Sequence, residues 1–505
     1  RTHAGGKRVL IYGAGEAGMT VLREIQSNTS LGYRVAGFLD DDSRKRSFQI
    51  LGVSVIGSGR RAAEIVLRSK QKGLPIEEIL VAIPSTSGSA LREVLANCRA
   101  AGVPSKIVPG VGELLSGRVL TSQMREVSPL DLLGREPVRL DQANIRHAIS
   151  GKNVLVTGGA GSIGSEICRQ LTRFAPAHIV ALDQAETDLY KLELEFSDRF
   201  PSIAFIPQVG DIRNPHRVNE VLRSFNIHSV FHAAAYKHVP MMENHLVEAV
   251  CNNVLGTSNL VEAAYRHRVE SFLMISSDKA VNPTNLMGTT KRVAELIVSS
   301  MPMPERGIGT KFVSVRFGNV LGSNGSVIPL FRQQIAAGGP VTVTHPEMRR
   351  YFMTIPEAAQ LVLQASTMGR GSEVFELDMG EPIKIADLAR NMIRLSGREP
   401  DKDIEIRFTG LRPGEKLFEE LSLDAERIEP SYHEKIHIFR GKPLSRVAVR
   451  SWVDELEQLI EERDECAILH HLKGLVPEYR PVGKWAAYFE SSEPQLAPLP
   501  LSASA

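Results

Sequence analysis

The chain has little of what would mark it as a zinc, disulfide-rich or membrane-spanning protein. Its 505 residues include only four cysteines, Cys98, Cys168, Cys251 and Cys466, and no two of them form a CxxC pair. Scattered cysteines argue against a metal site and a disulfide framework, and they favour a reducing compartment. No stretch approaches the roughly 18 consecutive apolar residues that a membrane-spanning helix needs. The sequence therefore predicts a globular chain without a structural metal.

An excess of charge of one sign is also missing. Lysine and arginine number 60 and the acids 58, so the net charge is only +2. Such a balance provides no overall field for attracting nucleic acid or an anionic membrane, and we expect no nucleic-acid partner. The hydrophobic share of 43% is that of an ordinary soluble protein. The length exceeds what one core usually supports and predicts two or three domains.

Two glycine-rich openings organise the chain. RVLIYGAGEAGMTVLREI (8–25) and KNVLVTGGAGSIGSEICRQL (152–171) each join a short apolar run to a glycine cluster and a helical pattern. After them, helical segments separate the predicted strands 34–42, 78–85, 178–183, 204–212, 229–235, 271–277 and 311–320. This alternation predicts an α/β fold with two Rossmann-like, doubly wound parallel-sheet domains.

The pattern also suggests where the domains end. We expect a nucleotide-binding-like domain over 1–135, including a connector that begins near residue 109. A catalytic domain with a small C-terminal substrate lobe follows over 136–445. Residues 446–505 should form a surface helix and a disordered tail.

The second glycine cluster has the features of a dinucleotide-binding loop. Gly158, Gly161 and Gly164 lie between a strand and a helix, where backbone N–H groups can approach a pyrophosphate. Asp183 ends the next strand and can accept hydrogen bonds from both ribose hydroxyls, which favours NAD over NADP. The alternative is a glycine turn that only permits close packing. Further cofactor contacts are expected at Ser162, Ile163, Asp211, Ile212, Ala233 and Ala234.

The first glycine cluster is more ambiguous. Gly13, Gly15 and Gly18 are followed by Asp40 at a similar distance, but no acid–base cluster follows before residue 150. A nucleotide-binding or regulatory role and a purely structural role both stay open for this unit.

Candidate acid–base groups follow the predicted strand 271–277. Ser277, Asp278 and Lys279 lie at its carboxyl end, where open α/β sheets bind their ligands. Lys291 lies on the next helix, one turn after Met287 and on the same face. A neighbouring carboxylate and ammonium can exchange proton roles when their pKa values are tuned. The alternative is a solvated ion pair at the start of a loop.

Several motifs together resemble one enzyme family. They are TGGAGSIGSE (157–166), AAAYKHVPMME (233–243), NNVLGT (252–257), SSDKAVNPTNLMGTTKR (276–292), VRFGNVLGSNGSVIPLF (315–331) and LRPGEKLFEEL (411–421). The chain resembles the extended short-chain dehydrogenase/reductase superfamily and, more narrowly, the membrane-associated CapD-like nucleotide-sugar 4,6-dehydratases. Members of that group carry Met where smaller relatives keep a catalytic Tyr, and Met287 matches this pattern.

The resemblance implies a reaction. A bound NAD oxidises C4 of UDP-N-acetylglucosamine, water is lost across C5 and C6, and hydride returns to C6, in the service of polysaccharide biosynthesis. A nucleotide-sugar 4-epimerase and a non-catalytic nucleotide-sugar sensor are the competing interpretations. Epimerases rely on the absent Tyr, which counts against the first of these.

The roles of individual groups follow from the same chemistry. We expect Lys279 to be the base at C5, Asp278 the acid at O6, and Lys291 the group that holds the nicotinamide ribose. Ser277 replaces the usual Thr and keeps its hydroxyl. Removal of the C4 hydroxyl proton could fall to Asp278, to Lys291 or to a bound water.

Substrate contacts are expected at cations and amides near the strand ends. The candidates are Lys237, His238, Asn253, Asn319, Arg349, Arg350 and Arg412. Guanidinium groups suit diphosphate oxygens, and at least one of the arginines should reach them. For Asn253, helix packing is the alternative.

The resemblance also implies partners. Transmembrane helices are expected before Arg1, which would hold the intact protein at the cytoplasmic face of the membrane, and a homo-oligomer is expected.

Overall fold

The computed structural model describes residues 6–28, 31–83, 88–108, 125–126, 138–305, 308–323, 325–420, 427–441 and 444–490. It divides the chain into two compact units, Arg1–Glu136 with Arg394–Gly397, and Pro137–Ile393 with Arg398–Ala505. Most of the predicted connector over 109–150 lies outside the described residues. The predicted tail lies outside them from residue 491 onwards.

The first unit is built around one mainly parallel sheet. Its strands are β1 (Lys7–Tyr12), β2 (Tyr33–Leu39), β3 (Gln49–Ile50), β4 (Val53–Gly57), β5 (Glu78–Val81), β6 (Ser105–Ile107) and β7 (Arg125–Glu126). Its helices are α1 (Glu16–Ser27), α2 (Ala62–Gln71) and α3 (Gly88–Ala100). The strand order is β3-β4-β2-β1-β5-β6-β7, and only β3–β4 and β6–β7 pair antiparallel. Side chains of β1 alternate between two hydrophobic clusters, as expected for a strand covered on both faces.

The second unit contains a larger sheet. Its strands are β8 (Asn153–Thr157), β9 (His178–Asp183), β10 (Phe205–Val209), β11 (Ser229–His232), β12 (Ser271–Ile275), β13 (Lys311–Arg316), β14 (Asn319–Leu321), β15 (Val341–Val343), β16 (Arg349–Arg350), β17 (Phe352–Thr354), β18 (Val374–Leu377), β19 (Ile383–Lys384), β20 (Ile406–Phe408), β21 (Arg427–Pro430) and β22 (Ile436–Arg440). The main sheet has the order β10-β9-β8-β11-β12-β13-β18-β22-β21 and is parallel from β10 to β18. The two parallel sheets confirm the predicted α/β fold class.

Helices separate these strands. They are α4 (Gln142–Ile149), α5 (Ser162–Leu171), α6 (Glu186–Arg199), α7 (Pro215–Ser224), α8 (Val239–Met242), α9 (Leu246–Val250), α10 (Gly256–Arg266), α11 (Leu286–Ser299), α12 (Val327–Ala336), α13 (Ile355–Met368), α14 (Ile385–Leu395), α15 (Arg446–Glu462), α16 (Glu465–Leu475) and α17 (Ala486–Glu490). Side-chain caps fix where several begin: Asn285 Oδ1 accepts the Gly288 N–H at 2.8 Å before α11, and Thr354 Oγ1 accepts the Glu357 N–H before α13. None of the described helices is long and apolar enough to cross a membrane.

The predicted strand over 311–320 is wrong in its extent. The strand is interrupted at Phe317 and Gly318, and the next strand, β14, pairs with β17 outside the main sheet. A Cβ on Gly318 would lie only 3.1 Å from Asp278 Oδ2, so this break brings backbone against the predicted acid. Together with the pairs β15–β20 and β16–β19, β14–β17 forms the small sheets expected of a substrate lobe.

The C-terminal helices are more buried than the prediction of a surface helix suggested. Trp452 of α15, Leu472 of α16 and Trp485 are at most 4% exposed and belong to the same hydrophobic cluster as β11 and β12. Trp452 and Trp485 are the two tryptophans of the chain. Tryptophan fluorescence therefore reports on the folding of the second unit.

A buried ion pair ties the middle of this unit together. Glu295 on α11 accepts hydrogen bonds from Arg316 Nε and Nη2 on β13, both at 2.8 Å, and each side chain is 1% exposed. Ser276, which follows β12, donates to the same carboxylate at 2.6 Å. Burial alone would raise the pKa of Glu295, but Arg316, Arg292 and Ser276 outweigh it and lower the pKa to about 2.

Replacing Glu295 by Gln should lower the free energy of unfolding at pH 7 by about 3 kcal/mol, because Arg316 is left buried without its counter-ion. The pKa of Glu295 in the folded protein lies below its ordinary value of 4.5. The stabilisation by its carboxylate is therefore complete above pH 4.5 and is lost as the pH falls through about 2. The gap between wild type and variant should therefore shrink on acidification. Urea titrations followed by tryptophan fluorescence at several pH values measure it.

Glu270→Gln provides the matched control. Glu270 pairs with Lys152 at 2.6 Å, but its side chain is 54% exposed, so its loss should cost no more than about 1 kcal/mol. Equal destabilisation by the two substitutions would contradict the structural role given to Glu295.

Candidate active site

A cleft of about 840 Å³ opens at the carboxyl edge of the second sheet. Its walls come from segments that directly follow four neighbouring strands: the glycine loop after β8, residues 233 and 235–238 after β11, residues 276, 277 and 279 after β12 and residues 317–320 after β13. Asp278 is buried and is not among the lining residues. Helix α11 contributes Met287 and Lys291. This is the location at which open parallel sheets bind their ligands.

The glycine loop at one end of the cleft is shaped for a pyrophosphate. Gly158 has φ +66°, and a Cβ there would lie 2.6 Å from the Ala234 backbone nitrogen. A Cβ on Gly164 would lie 2.0 Å from the Gly158 carbonyl oxygen, so only glycine allows α5 to start this close to the loop. Gly161 caps α5 without a side chain, which leaves the first turn open to an anion. The loop therefore fits the dinucleotide predicted for it.

Some of the predicted cofactor residues line the cleft and others do not. Gly161, Ser162, Ile163 and Ala233 line the cleft, whereas Asp183, Asp211, Ile212 and Ala234 are not among its lining residues. Asp183 accepts the Ala160 and Ala185 N–H groups, both at 2.9 Å, and so holds the loop from behind. Asp211 pairs with Arg213 at 2.7 Å, and Ile212 is 4% exposed within the core.

The first unit repeats the same loop geometry. Ala14 donates to Asp40 Oδ2 at 2.8 Å, and a Cβ on Gly18 would lie 1.9 Å from the Gly13 carbonyl oxygen. The loop lines its own cleft of about 510 Å³. Unlike Asp183, Asp40 also pairs with a lysine, Lys45, at 2.9 Å.

The acid–base candidates form a compact centre in the second unit. Lys279 Nζ lies 3.0 Å from Asp278 Oδ1 and 3.4 Å from Asn319 Oδ1. Ser277 Oγ donates to Asp278 Oδ1 at 2.8 Å. Asp278 Oδ2 is buried and finds no hydrogen-bond partner within the part of the chain that the structure describes. A substrate hydroxyl could supply that missing donor.

The positive charge on Lys279 is stabilised by neighbouring carboxylates. Burial works to lower its pKa, but the Asp278 and Glu419 carboxylates outweigh burial and raise the pKa above the ordinary lysine value. Lys279 is therefore an ammonium group at neutral pH. The predicted role of Lys279 as the C5 base consequently requires a prior step that removes a proton from it.

Helix α11 carries Lys291 and Met287. Burial lowers the pKa of Lys291 to about 8, against a smaller opposing effect of Glu295. Met287 is 3% exposed and packs with Val239, Met242 and Ala249 in an apolar cluster. An apolar side chain suits this position, because a phenol there would need a hydrogen-bond partner.

The predicted substrate residues divide into two groups. Lys237, His238, Asn319 and Arg412 line the cleft, as does part of Arg350. Asn253 does not line it: its side chain bonds to the backbone N–H and carbonyl of Tyr236 and to Thr290 Oγ1, which is the helix-packing alternative.

In this structure neither Arg349 nor Arg350 offers its guanidinium group to a diphosphate in the cleft. Neighbouring residues on a strand point to opposite faces, and Arg349 is exposed and lies away from the cleft lining. Arg350 donates to the carbonyl oxygens of Arg349, Lys416 and Leu417 at 2.7 to 3.1 Å. Its guanidinium therefore holds the 415–420 segment in place, which leaves Arg412 as the arginine best placed for phosphate oxygens.

One buried acid escaped the sequence reasoning. Glu419 lies beside Lys279, with Oε1 3.6 Å from Nζ, and its side chain is 3% exposed. Its motif, LRPGEKLFEEL, holds three glutamates within six residues, and nothing in the sequence indicates which of them is buried.

Comparison with known proteins agrees with this geometry. Residues 154–441 match the profile of a polysaccharide biosynthesis protein family, and residues 1–109 match that of a CoA-binding domain. The chain is 48% identical to the capsular polysaccharide biosynthesis protein CapD of Staphylococcus aureus, over 86% of this chain and 72% of that protein. It is 46% identical to the probable polysaccharide biosynthesis protein EpsC of Bacillus subtilis, over 90% and 75%.

A solved structure shows the same architecture. Pen from Bacillus thuringiensis is 37% identical, with a TM-score of 0.54 over 59% of this chain and 92% of that one. The profile match covers more than half of the chain, and both relatives are matched over more than two thirds of their length. The chain therefore belongs to the CapD-like polysaccharide biosynthesis protein family, as its motifs predicted.

Proposed function

We propose that this chain is an NAD-dependent nucleotide-sugar 4,6-dehydratase that converts UDP-N-acetylglucosamine to a UDP-4-keto-6-deoxy-N-acetylhexosamine. The observation that carries the proposal is the Asp278–Lys279 pair: Lys279 lines the cleft, and the buried Asp278 lies 3.0 Å from its ammonium group. Met287, on the neighbouring helix, stands where the resemblance implies a phenol in smaller relatives. A dehydratase needs both an acid and a base at the sugar, whereas the pair has no duty in epimerisation.

The cofactor assignment rests on the fit of the glycine loop. Gly158 and Gly164 let α5 begin directly against the loop, and Gly161 leaves the first turn of α5 without a side-chain cap, so that its N–H groups can meet a pyrophosphate. Lys291 lies in the same cleft, where it can hold the nicotinamide ribose. When bound, NAD would accept hydride from C4 and return it to C6. The lowered pKa of Lys291 makes a cation there costly, so a neighbouring anion or hydrogen-bond acceptor would stabilise its charge.

The protein groups suggest an order of proton transfers. Asp278, with its unpartnered Oδ2, accepts the C4 hydroxyl proton and afterwards delivers it to O6 as the C6 hydroxyl leaves as water. Neutralising Asp278 removes one of the charges that hold the proton on Lys279. Once its ammonium proton has passed to another acceptor, Lys279 can act as the base at C5 and later return the C5 proton.

The substrate class rests on the cleft cations and on the family. Lys237 and Arg412 line the cleft and offer cationic donors that suit a diphosphate. His238 also lines it as a neutral donor or acceptor, because burial and then Lys237 lower its pKa below the ordinary value. Uridine and the N-acetyl group, membrane attachment and a homo-oligomeric state are carried by the resemblance alone.

The proposed reaction predicts a loss of about 18 Da, one water, from UDP-N-acetylglucosamine incubated with the protein and NAD. Lys279→Ala and Asp278→Asn should each reduce this product by at least about 100-fold, because each removes a proton-transfer group. Mass spectrometry of the sugar nucleotide gives the measurement. A product of unchanged mass would indicate an epimerase, and no product with any sugar nucleotide would indicate a sensor.

Lys191→Ala is the control for this experiment. Lys191 also forms a short ion pair, 2.8 Å from Asp188 compared with 3.0 Å for Lys279 and Asp278, but it lies on the exposed face of α6. Its removal should leave the yield of dehydrated product unchanged.

A second prediction concerns which glycine loop binds NAD. Gly164→Ala should weaken NAD binding by about 100-fold or more, equal to about 2.7 kcal/mol, because its Cβ would displace the loop. Gly18→Ala introduces the same clash in the first unit and should leave NAD affinity unchanged. Calorimetric titration, with circular dichroism to verify folding, measures both. Loss of NAD binding in Gly18→Ala alone would move the cofactor to the first unit.

Met287→Tyr tests whether the reaction proceeds without the catalytic tyrosine that smaller relatives keep at this position. A tyrosine would place its hydroxyl against an apolar cluster, and Asp278 already provides an acceptor for the C4 proton. Water loss should therefore not rise above the wild-type rate. Strong activation of this variant, measured under the same assay conditions, would refute the relocated proton chemistry.

A further inference from the structure

Glu419 is a buried carboxylate whose presence the proposed reaction has not yet explained. Its Oε1 lies 3.6 Å from Lys279 Nζ and 3.8 Å from Arg350 Nε. Its Oε2 is fully buried and has no hydrogen-bond partner among the residues that the structure describes. A desolvated carboxylate with an unpaired oxygen is costly to a fold, so its presence here points to a use.

The surrounding structure holds Glu419 in this position. Arg350 binds the carbonyl oxygens of Lys416 and Leu417, and Lys416 Nζ donates to the Val281 carbonyl oxygen at 3.1 Å. Asn285, which caps α11, donates to the Gly414 carbonyl oxygen at 3.0 Å. The segment that carries Glu419 is thus attached to the turn that follows Lys279. The short distance between the two side chains is a consequence of these bonds.

We propose that Glu419 is a positioning residue of the acid–base centre that accepts the ammonium proton of Lys279 and so frees the amine to act at C5. The inference rests on the proposed dehydration. Glu419 does not line the cleft, and its Oε1 lies 3.6 Å from the ammonium group of Lys279, which does. It therefore acts through Lys279 and not on the substrate.

The proton transfers balance over one turnover. The C4 hydroxyl proton passes to Asp278, and the proton of Lys279 then moves from Nζ to Glu419. The neutral amine takes the proton from C5 while Asp278 delivers its proton to the leaving O6, which forms water. Lys279 afterwards returns the proton to C5, and Glu419 returns the stored proton to Lys279.

The charges around Glu419 suit a temporary proton acceptor. The titratable and charged groups that act on it are Lys279, Asp278, Arg350 and Lys416. Burial is the largest influence and, with Asp278, raises the pKa of Glu419 above the ordinary value, against the three cations. A carboxyl group that is easily protonated in its buried position can hold a proton that Asp278 cannot, because Asp278 already carries the proton from C4.

The test compares Glu419→Gln with wild type by following the acetylation of Lys279. Acetic anhydride modifies only the neutral amine, so peptide mass spectrometry over a pH series gives the midpoint at which Lys279 loses its proton. Glutamine removes the negative charge but keeps the shape, and the midpoint should fall by about one pH unit or more. An unchanged midpoint would overturn the proposal.

Glu420→Gln is the matched control. Glu420 is the next residue and also a carboxylate, but it is exposed and bonds to Asn282 at 2.7 Å and to Lys416 at 3.5 Å. It should leave the Lys279 midpoint in place. Tryptophan fluorescence during urea unfolding verifies that both variants are folded.

The kinetic readout separates a proton-transfer role from a merely structural one. In Glu419→Gln, kcat for water loss should fall by about 100-fold near neutral pH and recover as the pH rises, because solvent then takes the proton of Lys279. KM should stay unchanged. A lower kcat with the pH dependence of wild type would contradict the proposal. If wild type releases no water, the dehydratase proposal fails, and the acetylation midpoint still decides whether Glu419 governs the proton on Lys279.

Discussion

The buried carboxylate of Glu295 is the interaction on which the geometry of the site depends. It joins α11 to Arg316 of β13 and to Ser276 at the end of β12, with hydrogen bonds of 2.6 to 2.8 Å. Ser276 precedes the acid–base pair, and Lys291 lies one turn before Glu295 on α11. Helix and strand end are also in direct contact, since a Cβ on Gly288 would lie 2.1 Å from the Lys279 carbonyl oxygen. One ionised group therefore fixes the relative position of the lysine on the helix and the pair at the strand end.

Buried charge serves two different purposes in this unit. Glu295 is fully compensated by hydrogen-bond donors and two arginines, so its charge is permanent and its role is to hold the structure together. Asp278 and Glu419 each keep an oxygen without a partner in the described residues, and Lys279 lies within 3.6 Å of both carboxylates. A carboxylate whose negative charge is only partly compensated can gain or lose a proton at a small cost in free energy. A catalytic acid or base requires this property.

Much of this arrangement could be predicted from the sequence. The glycine loop, the strand β9 and the location of Asp278 and Lys279 at a strand end are local features, because they depend on residues that are close along the chain. The substrate contacts expected at Arg349, Arg350 and Asn253 stay predictions, and the structure shows other contacts for Arg350 and Asn253. Residue type correctly indicated donors, but their use depends on which carbonyl oxygens lie nearby, and Arg350 and Asn253 spend their donors on the backbone. The extent of the strand over 311–320 was wrong, because residues 319–321 pair with β17 outside the main sheet.

The sequence by itself determined two parallel α/β sheets, a dinucleotide-type loop in each unit and an acid–base pair beside an absent phenol. These follow from periodicity, glycine spacing and adjacency, which act within one strand–loop–helix segment. Only the tertiary structure decided that Lys279 is held as an ammonium group, that Arg350 binds the backbone of the 415–420 segment and that Glu419 lies 3.6 Å from Lys279. Burial and electrostatic interaction depend on distances in space, and the chain brings Glu419 to Lys279 from a segment far away in sequence.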